Sequence, residues 1–254
     1  MQELPYNLNR TVLIRARREA VFHFFTDSAR WASWWGAGST IDAKPGGKVY
    51  VRHPNGIESA GEVVEVKPPE RIIFTYGFVS GNPIPVGSSR VTIRLEAEES
   101  GTRLHLHHEF NEAGPRDAHV QGWRFQLSLF ANAVANEVHA DAAAKIDAWY
   151  KAWAIPDDRA REETFRKLAT PGVRFEDRYS LLEGIQDLNA HTGAAQKFMP
   201  GITLKRNGEV RQCQGKALAD WVATSADGKV MMSGTNFYVF GMDGKIESST
   251  GFAG

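Results

Sequence analysis

The sequence predicts an α+β protein built as two domains whose helices adjoin. Three observations carry this. The chain has 254 residues, enough for two domains of about 100–150 residues each. Between Pro115 and Pro156 the only breaker is Gly122, and apolar residues recur there at helical spacing. On both sides of that stretch, alternating strand patterns are punctuated by Gly and Pro turns. The boundary is expected near residue 138, giving domains 1–137 and 138–254.

The first half reads as follows. Arg10 to Arg17 alternates, with Val12 and Ile14 on one face, and reads as a strand. Glu19 to Asp27 reads as a helix, and Trp31, Trp34 and Trp35 as a Trp-rich turn. Strands are expected over Lys48 to His53, Glu58 to Val66, Arg71 to Phe78, Arg90 to Glu96 and Arg103 to Phe110, the last two pairing around Ser100-Gly101. A long helix follows, with Val120, Trp123, Leu127, Phe130, Val134 and Val138 on one face. A sheet gripping such a helix leaves room for an apolar cavity.

In the second half, Asp141 to Trp153 reads as a helix carrying Ile146, Trp149, Tyr150 and Trp153. Were the two helices continuous from Arg116, they would span roughly 57 Å at 1.5 Å per residue. A kink is expected between Asn132 and Asp141, where polar residues thicken. Asp158 is the expected N-cap of a helix over Arg159 to Leu168. A strand at Val173 to Asp177, a helix at Ile185 to Lys197 and five strands between Ile202 and Phe252 follow, with hairpin turns at Asp227-Gly228 and Asp243-Gly244.

Composition excludes several functions. Basic and acidic residues number 30 each and are balanced within each half, so neither half has the basic excess of a nucleic-acid binder. No apolar run approaches the roughly 20 residues of a membrane span. The first residues show no signal-peptide pattern, and a cytoplasmic location is expected. The single Cys213 is expected to be a buried, inert thiol. No phosphate loop and no His-x-x-x-His or Cys-x-x-Cys pair occurs, so no cofactor or metal is expected.

Two resemblances add to this. Trp34-Trp35, Pro45-Gly46-Gly47, the run from Gly61 to Ile72, the strand ending in His108, and Gly122-Trp123 together resemble the activator of heat-shock-protein-90 ATPase homologue family, of the START-like helix-grip superfamily, over about residues 10–136. That implies a pocket for apolar small molecules and no particular reaction. Trp149-Tyr150, Phe175-Glu176-Asp177, Gly184-Ile185, Phe198 to Gly201, Trp221, Gly234 to Phe237 and Asp243 to Ile246 resemble the nuclear-transport-factor-2-like, SnoaL-like family over about 139–254. That implies a cone-shaped α+β barrel, shared with ketosteroid isomerases and polyketide cyclases.

Candidate residues follow. In the first half, Trp31, Trp34, Trp35, His108 and Trp123 are expected around the ligand. His108 shares the leucine face of its strand, while His105 and His107 share the solvent face. In the second half, the resemblance implies that Asp177 is a general base. A carboxylate beside apolar walls has a raised pKa and can take a proton next to a carbonyl. Asn236, with Tyr150, would donate to the developing oxyanion. His191 is expected inward, to orient the base or shuttle the proton. Trp149 and Trp221 would wall off water.

The primary expectation is thus a two-pocket protein binding small, largely apolar molecules. The alternatives are an acid–base isomerase, cyclase or hydrolase in the second domain, and a co-chaperone that activates the heat-shock-protein-90 ATPase. No nucleic-acid or membrane partner is expected, and a homodimer is left open.

Overall fold

The computed structural model describes residues 4–254. The chain divides into two compact units, the first ending at Ala135 and the second running over Asn136–Gly254. Each holds one seven-stranded sheet, and six helices are present among the described residues.

The first unit contains β1 (Tyr6–Ile14), α1 (Arg18–His23), α2 (Ser28–Trp35), β2 (Thr40–Ile41), β3 (Lys48–Arg52), β4 (Glu58–Lys67), β5 (Arg71–Phe78), β6 (Ser89–Glu98), β7 (Gly101–Phe110) and most of α3 (Ala113–Val138). The sheet order is β1-β7-β6-β5-β4-β3-β2, with antiparallel neighbours throughout. Strand alternation sorts the side chains: Leu104, Leu106, His108 and Phe110 of β7 are buried, as strand period 2 requires. Trp123, Leu127, Phe130 and Val134 of α3 supply the opposing surface. Phe130 stacks on Phe25 at 4.8 Å and meets the Trp34 ring edge-on at 4.8 Å, and Gln126 Nε2 donates to the Trp34 carbonyl. The strands β4 and β5 approach closely at Gly61, where a Cβ would lie 1.8 Å from the Thr75 carbonyl oxygen.

The tryptophan segment expected as a turn is the helix α2. Its residues Trp31, Trp34 and Trp35 sit at i, i+3 and i+4, which is one helix face. Asp27 Oδ1 caps it by accepting from Arg30 N at 2.9 Å.

The second unit contains α4 (Ala142–Ala152), α5 (Asp158–Leu168), β8 (Ala169–Glu176), β9 (Leu181–Glu183), α6 (Ile185–Phe198), β10 (Thr203–Arg206), β11 (Arg211–Cys213), β12 (Lys216–Thr224), β13 (Val230–Phe240) and β14 (Ile246–Ala253). The order is β10-β12-β13-β14-β8-β9, with β11 on β12. The pairing of β14 with β8 is parallel. The core gathers Ile146, Trp149, Phe165, Leu188, Tyr238 and Phe240.

The helical stretch breaks inside the segment expected to kink: α3 ends at Val138 and α4 starts at Ala142. Two expectations change here. The N-cap of α5 is Asp157, whose side chain accepts from Ala160 N, while Asp158 lies inside the helix. Asp158 instead receives Arg161 Nη2 at 2.5 Å. Cys213 is exposed, because β11 is a three-residue strand paired only to β12 and all three of its residues face solvent.

Arg161 was not singled out in the sequence, yet it is only 1% exposed. Its Nε donates to Asn189 Oδ1 at 2.8 Å, Nη1 to the Ile155 carbonyl at 2.9 Å, and Nη2 to the Asn189 carbonyl at 3.2 Å. A guanidinium can be buried only when its fork is met in this way. It ties α5 to α6 and to the turn after α4.

Candidate functional site

In the second unit Asn236 is buried, while Asp177 and His191 are half-buried. Val173, Phe175 and Asp177 alternate along β8 and its end, so Asp177 continues the row of the two buried residues. Asn236 is 5% exposed on β13 and pairs with Gly251 of β14. A Cβ placed on Gly251 would lie 3.3 Å from Asn236 Oδ1 and 3.4 Å from Asp177 Cβ. Asp177 and Asn236 are thus gathered around one bare backbone position. His191, on α6, packs its ring on Trp153 at 6.0 Å and on Phe175 at 6.5 Å. Its Nε2 is 3.1 Å from Ser180 Oγ, and the Ser180 backbone exchanges hydrogen bonds with that of Asp177. One turn therefore places Asp177 and presents Ser180 to His191.

The polar accounting separates the roles. Asp177 Oδ1 accepts from Tyr179 N at 2.8 Å, which holds the turn. Its second oxygen makes no hydrogen bond among the described residues. Asn236 Oδ1 accepts from Trp221 Nε1 at 2.8 Å, and Nδ2 donates to Ser249 Oγ at 3.1 Å and to the Tyr238 hydroxyl at 3.4 Å. An amide has two N–H groups, so both of Asn236's are spent. The sequence reading gave Asn236 the oxyanion-donor role; the geometry leaves that donor elsewhere. The Tyr150 hydroxyl is buried without a well-formed hydrogen bond, its ring 6.5 Å from that of Tyr238. Burial pushes the Tyr150 phenol up to about 12, and burial likewise raises Tyr238 well above its ordinary value. Both stay protonated donors at neutral pH. Trp153 Nε1 is a second buried donor without a partner. Tyr150 and Trp153 lie at i and i+3, on one face at the end of α4. Trp149 is fully buried against Phe165 and Tyr238 and acts as core. Trp221 is half-buried and holds Asn236 in place.

In the first unit, Trp31 and Trp34 are core. Their indoles donate to the carbonyls of Tyr50 at 3.2 Å and Phe24 at 3.4 Å. Trp35 is different: it is 5% exposed and its Nε1 is buried without a partner. His108 is fully buried in a directed chain. Trp123 Nε1 donates to His108 Nδ1 at 2.9 Å, so the His108 proton sits on Nε2 and is given to Ser89 Oγ at 2.9 Å. Ser89 in turn donates to the Tyr76 carbonyl at 2.7 Å. Burial holds the His108 imidazole well below its ordinary value. His105 and His107 lie on the more exposed face, as the alternation requires. The sequence reading passed over His53, Tyr76 and His119, which surround this chain. They come from three separate elements with no shared spacing, so no local pattern joins them.

Among the described residues, no group of three or more His, Cys, Asp and Glu is placed to hold a metal ion. No helix there is long and apolar enough to cross a membrane.

Comparison with known proteins gives one family-model match and a set of similar solved structures. Residues 15–135 match the family model described as Activator of Hsp90 ATPase homolog 1-like protein, which falls inside the first unit. Solved structures similar to this chain include a SnoaL-like family protein from Agrobacterium tumefaciens described as a candidate isomerase. It is 22% identical, with a TM-score of 0.43, covering 46% of this chain and 98% of its own. The Aha1 dimer from Colwellia psychrerythraea is 19% identical, with a TM-score of 0.42, covering 48% of this chain and 90% of its own. A protein from Chromobacterium violaceum is 25% identical, with a TM-score of 0.42, covering 50% and 96%. No curated protein matches this chain.

Proposed function

We propose that this is a two-unit binder of small, largely apolar molecules, with a helix-grip unit over residues 1–137 and a cone-shaped, nuclear-transport-factor-2-like unit over 138–254. One observation carries the reading. Two indole donors, Trp35 Nε1 and Trp153 Nε1, are buried with no acceptor, and the buried Tyr150 hydroxyl has only the Tyr238 hydroxyl beside it. A buried donor left unmet costs about 1–3 kcal/mol, and buried polar groups in folded proteins are nearly always paired. A ligand oxygen supplies the missing acceptor. In the second unit the paired donors on α4 call for a carbonyl-type acceptor on an otherwise apolar molecule. A thermal-shift screen of apolar carbonyl compounds tests this, since binding to the native state raises Tm. Stabilisers should lose their effect in Tyr150→Phe; a broad screen without stabilisers would count against the reading. Native mass spectrometry of the purified chain reads any retained molecule and any homodimer.

The grouping of Asp177 and Asn236 about Gly251 favours a second reading, proton abstraction next to a carbonyl. Asp177 would be the base, through its unoccupied oxygen. Tyr150 would donate to the oxyanion, Asn236 would hold Tyr238 beside it, and His191 would position the turn carrying Asp177. A positioned base contributes about 10²–10⁴ in rate. With a substrate in hand, Asp177→Asn should lower kcat by that order with little change in affinity. Gly251→Ala puts a methyl group between base and network and should impair both. Retention of full turnover by Asp177→Asn would leave a binding module. The co-chaperone reading rests on the family description of residues 15–135 alone; stimulation of the Hsp90 ATPase by the purified chain is its test.

A further inference from the structure

The polar groups inside the first unit have a definite donor and acceptor pattern, and it specifies a ligand. His119 Nδ1 lies 2.7 Å from the Pro115 carbonyl oxygen. A carbonyl can only accept, so the His119 proton is on Nδ1 and the lone pair is on Nε2. Nε2 makes no hydrogen bond among the described residues. The His119 ring meets Tyr76 at 6.1 Å, Phe78 at 5.8 Å, His108 at 5.3 Å and Phe110 at 5.1 Å. The site thus has one bare acceptor within an aromatic wall.

Trp35 and His119 both pack against Tyr76. Trp35 Nε1 has no acceptor, and its ring lies 6.3 Å from Tyr76 and 5.8 Å from His53. Ser59 Oγ donates to the Tyr76 hydroxyl at 2.9 Å. His53 Nε2 is 3.1 Å from the same Ser59 oxygen and 3.4 Å from the Tyr76 hydroxyl, so the three groups hold one another in place. Burial keeps Tyr76 protonated, pushed up to about 12. Burial also lowers His53 and His119, so the three imidazoles are neutral at pH 7. Without a cation at its centre, the cluster disfavours a carboxylate or phosphate. His53, Phe78 and His119 are half-buried while Trp35, Tyr76 and His108 are buried, so the cluster runs inward from the surface.

We propose that the first unit binds a flat phenol, whose hydroxyl donates to His119 Nε2 and whose second oxygen accepts from Trp35 Nε1. This rests on the reading of the first unit as a small-molecule pocket and names its ligand class. Aromatic walls suit a ring in edge contact, and a phenol is a stronger donor to imidazole than an aliphatic alcohol. His119 is the acceptor, Trp35 the donor, and Ser59 and His53 position Tyr76.

The experiment uses the full chain at pH 6, where 4-nitrophenol keeps its O–H, with that phenol and its methyl ether 4-nitroanisole, which has the same ring and nitro oxygens but no O–H. Nitrogen-15 spectra of the imidazoles should show His119 free as the Nδ1–H tautomer. They should show its Nε2 shifting saturably with 4-nitrophenol. The ether should bind about tenfold more weakly, the size expected for one lost hydrogen bond. His119→Ala should remove that discrimination, and Trp35→Phe should weaken both probes with the tautomer unchanged. Equal affinity for the two probes, discrimination that survives His119→Ala, or a proton on Nε2 in the free protein overturns the proposal while leaving a pocket. Failure of both probes to bind overturns it together with the pocket reading of this unit.

Discussion

Acid should destabilise the first unit through His108, by an amount the hydrogen-bond chain fixes. The imidazole is fully buried, and Nδ1 must be unprotonated to accept from Trp123 Nε1 at 2.9 Å. Protonation would set N–H against N–H with no water to intervene. The folded-state value is therefore lowered well below 6.5, by burial first and then by His119 and His107. The unfolded chain takes up the proton near its ordinary pKa of about 6.5 and the folded chain does not. Stability is then fully present above that pH and falls as pH drops toward the folded value. The slope is about 1.4 kcal/mol per pH unit for this group. His53 and His119 act in the same direction, so a comparison is needed. His108→Asn keeps an acceptor for Trp123 and removes the titration. Hydrogen exchange of the β6 and β7 amides in the full chain reports this unit. The stability difference between wild type and variant should shift in favour of the variant by about 1 kcal/mol between pH 6.5 and 5.5, because the unfolded imidazole is already half protonated at the upper limit. An unchanged difference over that interval would refute the assigned tautomer chain.

Four further outcomes are expected. Tyr150→Phe removes a buried hydroxyl without a well-formed bond, so urea unfolding should show a stability change within about 1 kcal/mol of zero, with ligand binding lost. Arg161→Lys leaves Asn189 Oδ1 unmet, while the Ile155 carbonyl keeps Gln196 Nε2 as a donor at 2.9 Å, and should cost on the order of 2 kcal/mol. Gly193→Ala should act in the same direction, because its Cβ would lie 2.9 Å from Arg161 Nη2. Cys213 is exposed, so a thiol reagent should modify it in the folded protein without lowering Tm; protection until unfolding would contradict its placement.

Most of the elements were legible because period and punctuation are local. The β7 alternation placed His108 on the leucine face, and the spacing of Trp123, Leu127, Phe130 and Val134 marked the helix that covers it. The misreadings were local competitions decided by geometry the sequence leaves open. Asp157 and Asp158 are both good caps, and a buried Arg161 drew Asp158 into its own bond set. Cys213 suits a core in composition, but its strand is a short edge. Strand β9 is three residues long, too short to show a period.

Site residues divide by a different rule. A residue type can be chosen from sequence, but whether its polar atoms are already spent is decided by neighbours far along the chain. Asn236 looked like the donor because an amide can donate. Trp221, Tyr238 and Ser249 take up its oxygen and both hydrogens. Tyr150, ranked behind it, is the group with a proton to give. The same holds in the first unit. His108 is the histidine that the strand pattern points inward, and it is fully satisfied by Trp123 and Ser89. His119, a half-buried helix residue with nothing to mark it, keeps a bare lone pair because Pro115 takes its proton. Of the residues that look functional in sequence, Asn236 and His108 have their polar atoms spent on neighbours, while Trp35 Nε1 and Trp153 Nε1 are left unmet.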